Sequence, residues 1–309
     1  MIKKLITAVI CLLITLLVFL KQDYITGKII DFVNNVRQPE FSETISDYTR
    51  GFNYEYVSIT DDFTPYNYQD LINILYTALD KRYNSITFYC PREYEECLTD
   101  VEKLSSNGNQ DELTIIGNLV SSFNNFTNIS VYYDTSGKVK YDIAYSYDSD
   151  DIAYVNRELD NIMNATINDS MSLEEKIRAL HDYLVEYAEY DTNYEYELDV
   201  YGKGTLESNT SVGFFKNKLA ICTGYADTMG LLLDRLGVYN YKVTSDTHIW
   251  NAVKLDNQYL HLDVTWDDPT NNIFHVMSTK YYLIDTNTLL TNDTESHNFD
   301  KTIYLELAQ

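Results

Sequence analysis

Ala220-Ile221-Cys222-Thr223-Gly224-Tyr225-Ala226 runs into Met229, Leu232, Leu233 and Leu236. That apolar spacing predicts a buried helix, ended by Gly237. Cys222 falls at or near its first turn, where unpaired amide hydrogens and the helix dipole favour an anion and so a reactive thiolate. The competing reading is a small buried hydrophobe, the commoner fate of a free cysteine.

Thr247-His248-Ile249-Trp250-Asn251-Ala252-Val253-Lys254-Leu255 and Gln258-Tyr259-Leu260-His261-Leu262-Asp263-Val264-Thr265-Trp266 read as two strands joined by Asp256-Asn257, a pair suited to a two-residue hairpin turn. With that turn Leu255 faces Gln258, Trp250 faces Asp263 and His248 faces Thr265. His248 and Asp263 then become diagonal neighbours on one face, within side-chain reach. A register shift of one residue would separate them. A thiolate needs a base to share its proton, and the imidazole needs a carboxylate to hold its tautomer. Cys222, His248 and Asp263 supply these types. His261 is a rival base, since it shares a face with Asp263. His181, His275 and His297 show no comparable arrangement. No His-x-x-x-His or Cys-x-x-Cys spacing supports zinc, and neither a metal nor a cofactor is expected.

In order and wording, Ile221-Cys222-Thr223-Gly224-Tyr225-Ala226, His248-Ile249-Trp250-Asn251 and Asp263-Val264-Thr265-Trp266-Asp267-Asp268-Pro269 resemble the transglutaminase-like superfamily. Its bacterial members often read V-C-x-G-Y-A, H-A-W-N and D-x-T-W-D-D-P. The helix around Arg178-Ala179-Leu180-His181-Asp182-Tyr183-Leu184 also looks like the one that opens this family's core. The resemblance covers roughly residues 170–299. It implies an α+β, papain-like core, with a cysteine-bearing helix packed on an antiparallel sheet that carries histidine and aspartate. It implies Cys222 as nucleophile, His248 as base and Asp263 as its orienting partner; His248 is preferred to His261 because it carries the H-x-W-N wording. The chain departs from the pattern in Lys218-Leu219-Ala220, where the family often has glycine, and no upstream side-chain oxyanion donor is identifiable. Backbone amides, including that of Cys222, are the alternative donors. Trp250, Tyr225 and Trp266 either line the acyl site or simply pack. Asp267 and Asp268 are expected to cap a turn.

Working outward, Ser172-Leu173-Glu174-Glu175 is a capping box ahead of the apolar stripe Leu173, Ile177, Leu180, Leu184 and Ala188. Residues 190–217 are polar and irregular and read as a long loop. Upstream, the patterns predict a strand at 53–60, a helix at 66–83, a strand at 85–90 and helices at 93–104 and 112–123. A hairpin over 129–147 and a helix over 150–166 follow. These elements form a small α/β module without a catalytic constellation. The expected organisation is an anchor at 1–22, a stalk at 23–50, the α/β module at 51–168 and the transglutaminase-like domain at 169–309.

Lys3 and Lys4 precede an uncharged, mostly apolar run from Leu5 to Leu20 with no small-x-small cleavage site behind it. An uncleaved signal anchor is the preferred reading, and a signal peptide cut at an atypical site is the alternative. Either way the remainder is exported, held at the membrane through residues 5–20 or secreted. Cys11 lies in the apolar run, and an oxidising compartment makes a Cys90–Cys97 disulfide plausible beside the reading of two separate thiols. Cys222 is left unpaired. With 23 Lys and Arg against 47 Asp and Glu, the net charge of −24 argues against nucleic acid as a partner. The 29 tyrosines suit packing between core and solvent.

Two functions are in view. One is an exported thiol enzyme that transfers an acyl group from peptide or glutamine amides to water or an amine, its substrates proteins or peptides of the cell envelope. The other is a cell-surface binding or scaffolding module with a vestigial triad. Substrate identity, acyl acceptor and oligomeric state are not readable from the sequence.

Overall fold

The computed structural model describes residues 37–42, 47–105, 110–204, 206–268 and 277–308, with scattered positions between 12 and 28. Among the described residues no helix is long and apolar enough to cross a membrane. The apolar run 5–20 lies, but for Leu12, Thr15 and Phe19, outside them, as do Cys11, Pro269 and His275.

The chain folds as mixed α and β with antiparallel sheets. Four strands, β1 (Glu40–Ser42), β2 (Ser85–Tyr89), β3 (Phe126–Tyr133) and β4 (Lys138–Tyr145), form an antiparallel sheet in the order β1-β2-β4-β3. Helix α1 (Tyr68–Asp80) precedes β2, and α2 (Cys97–Ser105) and α3 (Gln110–Asn118) follow it. Next come α4 (Ser149–Thr166) and α5 (Leu173–Tyr187), and both begin with a capping box, Asp148 with Asp151 and Ser172 with Glu175. Each box satisfies helix-end amides that would otherwise lack partners.

Two-residue strands β5 (Glu189–Tyr190) and β6 (Leu219–Ala220) then pair in parallel. They close an excursion that carries α6 (Tyr194–Tyr201) and α7 (Ser211–Asn217), so the expected loop contains two helices. Both are short, and no residue of α6 is buried, so the 3.6-residue apolar period that marks a longer helix is missing. Helix α8 (Cys222–Arg235) follows at once. Strands β7 (Asn240–Thr244), β8 (Ile249–Leu255) and β9 (Gln258–Leu262) complete the second antiparallel sheet, in the order β7-β8-β9. Two short helices, α9 (Val264–Asp267) and α10 (Thr286–Asn292), follow β9.

The β7-β8-β9 sheet is packed on both faces. Tyr241, Val243, Trp250 and Ala252 join the apolar core that also holds Leu71, Ile74, Phe88 and Tyr141. Val253 and Leu262 join a second core with Leu159, Leu180, Leu184, Met229 and Leu232 from α4, α5 and α8. On the α8 side, Asn251 Nδ2 donates to the Ala226 carbonyl at 3.0 Å and ties β8 to the cysteine-bearing helix.

Three further expectations need correction. Residues 53–60 form no strand, and Tyr54 N closes a bend on Val57 O at 2.8 Å. Their amides go to side chains instead, Ile59 to Asn53, Ser58 to Asn73 and Thr60 to Thr77, so no ladder partner is needed. The helix expected at 93 begins at Cys97, after a turn in which Tyr94 N donates to Pro91 O. The strand expected to run from Gln258 to Trp266 stops at Leu262, because Asp263 caps α9 by accepting from Trp266 N at 3.1 Å.

Candidate active site

Cys222 is the first residue of α8, and the residue ahead of it, Ile221, offers no side-chain cap. The amides of the first turn therefore point outward without a side-chain acceptor, which is the environment that suits an anion. The position of this turn is set from outside the helix. Ser208 O accepts from Ile221 N at 2.9 Å, and it lies so near Gly224 that a Cβ there would stand 2.4 Å from it. Glycine two residues after the cysteine is thus a packing requirement, since the 206–208 backbone occupies the space of a side chain. The same backbone excludes a Cβ at Gly213, which would meet Glu207 O at 2.1 Å.

His248 lies just before β8 and Asp263 just after β9. The hairpin between them turns at Asp256-Asn257, whose φ values of 47° and 65° are the two positive values of a type I′ turn. Leu255 pairs with Gln258 and Asn251 with Leu262, so the register matches the expected one as far as the strands run. The expected pairing of His248 with Thr265 does not occur, because Thr265 is in α9. His248 Nε2 nonetheless reaches Asp263 Oδ2 at 2.6 Å, with both groups buried. Cys222 lies near enough to the same imidazole to add to its raised pKa. With Nε2 committed to Asp263, Nδ1 is the ring nitrogen that pairing leaves open. Cys222 is the free cysteine among the described residues, and Cys90 and Cys97 are joined in a disulfide.

The electrostatics follow from burial and pairing. Burial disfavours the charged imidazole, but the Asp263 charge and hydrogen bond, with Cys222 adding, raise the His248 pKa from 6.5 to about 10. Burial would push the Asp263 carboxyl up, yet its histidine partners hold it well below the usual carboxylate range. The rival His261 is buried elsewhere. Its Nδ1 accepts from Trp250 Nε1 at 2.9 Å, Nε2 faces Thr286 Oγ1 at 3.0 Å, and burial lowers its pKa to about 3.

A residue absent from the expected constellation joins it. His297, fully buried, places Nε2 2.9 Å from the same Asp263 Oδ2 and Nδ1 3.2 Å from Asp293 Oδ2. Its one signal in the sequence is the Asp293-x-x-x-His297 spacing, which is common and points nowhere by itself. His248, Asp263 and His297 put one potential ligand atom each within 4.8 Å of one another. Two ligand atoms of a tetrahedral zinc would stand about 3.3 Å apart. Nitrogen–oxygen separations of 2.6 and 2.9 Å are instead those of hydrogen bonds.

Of the three aromatic candidates, Trp266 alone faces solvent, 37% exposed, with its ring 6.0 Å from that of His248. Trp250 is buried beneath His248, rings stacked at 5.6 Å. Tyr225 is buried against Phe214 and donates its hydroxyl to Asp268. Asp267 accepts from Tyr281 N at 3.1 Å, so both acidic residues after Trp266 anchor neighbouring chain.

No family model and no curated protein matches the chain. Among solved structures, one described as a TGase is 14% identical, aligned over 57% of this chain and 52% of that one at a TM-score of 0.35. A second, described as a proposed cysteine protease from Cytophaga hutchinsonii, is 12% identical over 45% of this chain and 61% of that one, at a TM-score of 0.28. The chain thus spans less than two thirds of the length of either. Likeness at this level decides neither activity nor substrate.

Proposed function

We propose that this protein is a transglutaminase-like thiol enzyme that transfers acyl groups from peptide or glutamine amides through Cys222, His248 and Asp263. The observation that carries the reading is the convergence of the three groups. A free cysteine at an uncapped helix start adds to the raised pKa of an imidazole whose Nε2 lies 2.6 Å from a buried carboxylate.

In the proposed reaction the Cys222 sulfur bonds to the amide carbonyl carbon, and His248 holds the proton that leaves the sulfur. The carbonyl oxygen gathers negative charge and takes a hydrogen bond from the Cys222 amide. As the C–N bond breaks, His248 gives the proton to the departing amine and a thioester remains. Water or a second amine then attacks the thioester carbon. His248 removes its proton and returns it to the sulfur as the C–S bond breaks. Asp263 stays ionised throughout and fixes the imidazole. Trp266, beside the histidine and open to solvent, is the side chain placed to meet an incoming polypeptide.

The enzyme is placed outside the cytoplasmic membrane, with residues 5–20 as its anchor. The Cys90–Cys97 disulfide supports an oxidising compartment. The test is incubation of the full chain with a casein-like protein and a fluorescent amine. Amine incorporation identifies a cross-linking enzyme and cleavage a protease, each abolished in Cys222→Ser. The absence of both incorporation and cleavage, across several unfolded protein substrates, would contradict acyl transfer.

A further inference from the structure

We propose that His297 is a positioning residue of this site, holding the Asp263 carboxylate where it accepts from His248; the inference rests on the thiol-enzyme reading above. Asp263 follows the last residue of β9, so the ladder does not fix its side chain. Three donors do. His248 Nε2 and His297 Nε2 approach Oδ2 at 2.6 and 2.9 Å, and the Trp266 amide approaches Oδ1 at 3.1 Å. Rotation of the carboxylate would break at least one of these bonds, at a residue that is itself buried.

His297 is itself held firmly. Its Nδ1 faces Asp293 Oδ2 at 3.2 Å, and its ring stacks on Tyr281 with centroids 5.2 Å apart and planes at 15°. The adjoining Ser296 carbonyl accepts from Ser245 Oγ at 2.6 Å, and Ser245 Oγ in turn accepts from the His248 amide at 3.2 Å. One short segment, 293–297, therefore grips both the turn that carries His248 and the carboxylate that serves it. The titratable groups facing His297 are Asp263, Asp293, His248 and Tyr281. A buried histidine that merely filled space would not need both nitrogens aimed at carboxylates.

The test is the pH profile of Cys222 alkylation by iodoacetamide in the full chain, read at the Cys222 peptide by mass spectrometry. His297→Phe keeps a ring against Tyr281 but removes the donor. The expected result is alkylation about tenfold slower at pH 6. His297→Gln, which can place an amide N–H near the position of Nε2, is expected to recover most of that loss. An unchanged profile in His297→Phe would overturn the inference, and so would His297→Gln as slow as His297→Phe, which would leave packing as the only role. Should His297→Phe fail to fold, Asp293→Ala frees the ring without filling the site. A slowing of about threefold is then expected, and no change overturns the inference. His248→Ala is run alongside: if it too leaves the profile unchanged, the thiol-enzyme reading fails and this inference with it, whereas a response in His248→Ala alone refutes only the role of His297.

Discussion

His248 and Asp263, 15 residues apart, meet at 2.6 Å across the ends of a hairpin, each just outside the strand that carries it. The strands set the approach and the flanking turns aim the side chains. Substitutions can therefore separate chemistry from folding.

The pair makes stability depend on pH in a stated direction. His248 has its pKa raised from 6.5 to about 10. A raised basic group contributes stability that is complete below the unfolded value, near pH 6.5, and lost as pH rises through about 10. Between pH 6 and pH 10 the parent chain should lose about 2–4 kcal/mol more than Asp263→Asn does. Urea unfolding of both proteins at the two pH values measures the difference, and parallel losses would refute the pairing energy.

Gly224→Ala should destabilise the chain by about 1–3 kcal/mol, since its Cβ would stand 2.4 Å from a backbone oxygen that cannot swing away. Gly202→Ala is the control. Its φ is 70° but nothing lies within 4 Å of the new carbon, so the cost should be about 1 kcal/mol, from backbone strain alone. Urea midpoints rank the two, and equal costs would show that the Ser208 carbonyl is not a wall.

The two tryptophans beside His248 should separate into a surface role and a core role. Trp250→Ala removes a buried side chain and should cost about 3–5 kcal/mol. Trp266→Ala should leave the melting temperature near that of the parent and weaken protein-substrate turnover, mainly through KM. Thermal unfolding beside steady-state kinetics distinguishes them.

Much of this was legible in the sequence. The apolar spacing of Met229, Leu232 and Leu233 marked α8, and Asp256-Asn257 set a register that placed His248 near Asp263. The Ser172–Glu175 box marked the start of α5. What was not legible depends on competition between side chain and backbone. Leu260, Leu262 and Val264 continue a strand alternation, but the Asp263 side chain satisfies a helix amide and ends the strand there. Asn53, Asn73 and Thr77 likewise supply the acceptors that release 53–60 from any sheet. His297 comes 34 residues after Asp263 in sequence and meets it only through tertiary packing. No local period carries such a contact.

Breaking the Cys90–Cys97 bridge with Cys97→Ser should cost about 2 kcal/mol, since it closes a short loop. Cys222 alkylation should not change. Loss of alkylation at 222 in this variant would show that the first sheet and the thiol site are coupled.

The most direct measurement is the rate of Cys222 alkylation by iodoacetamide at pH 6 in the full chain and in His248→Ala. The expected result is a rate at least tenfold above that of free cysteine in the parent, falling to the free-cysteine rate in the variant. A parent rate equal to that of free cysteine, or one indifferent to loss of His248, would contradict a thiol activated by its imidazole.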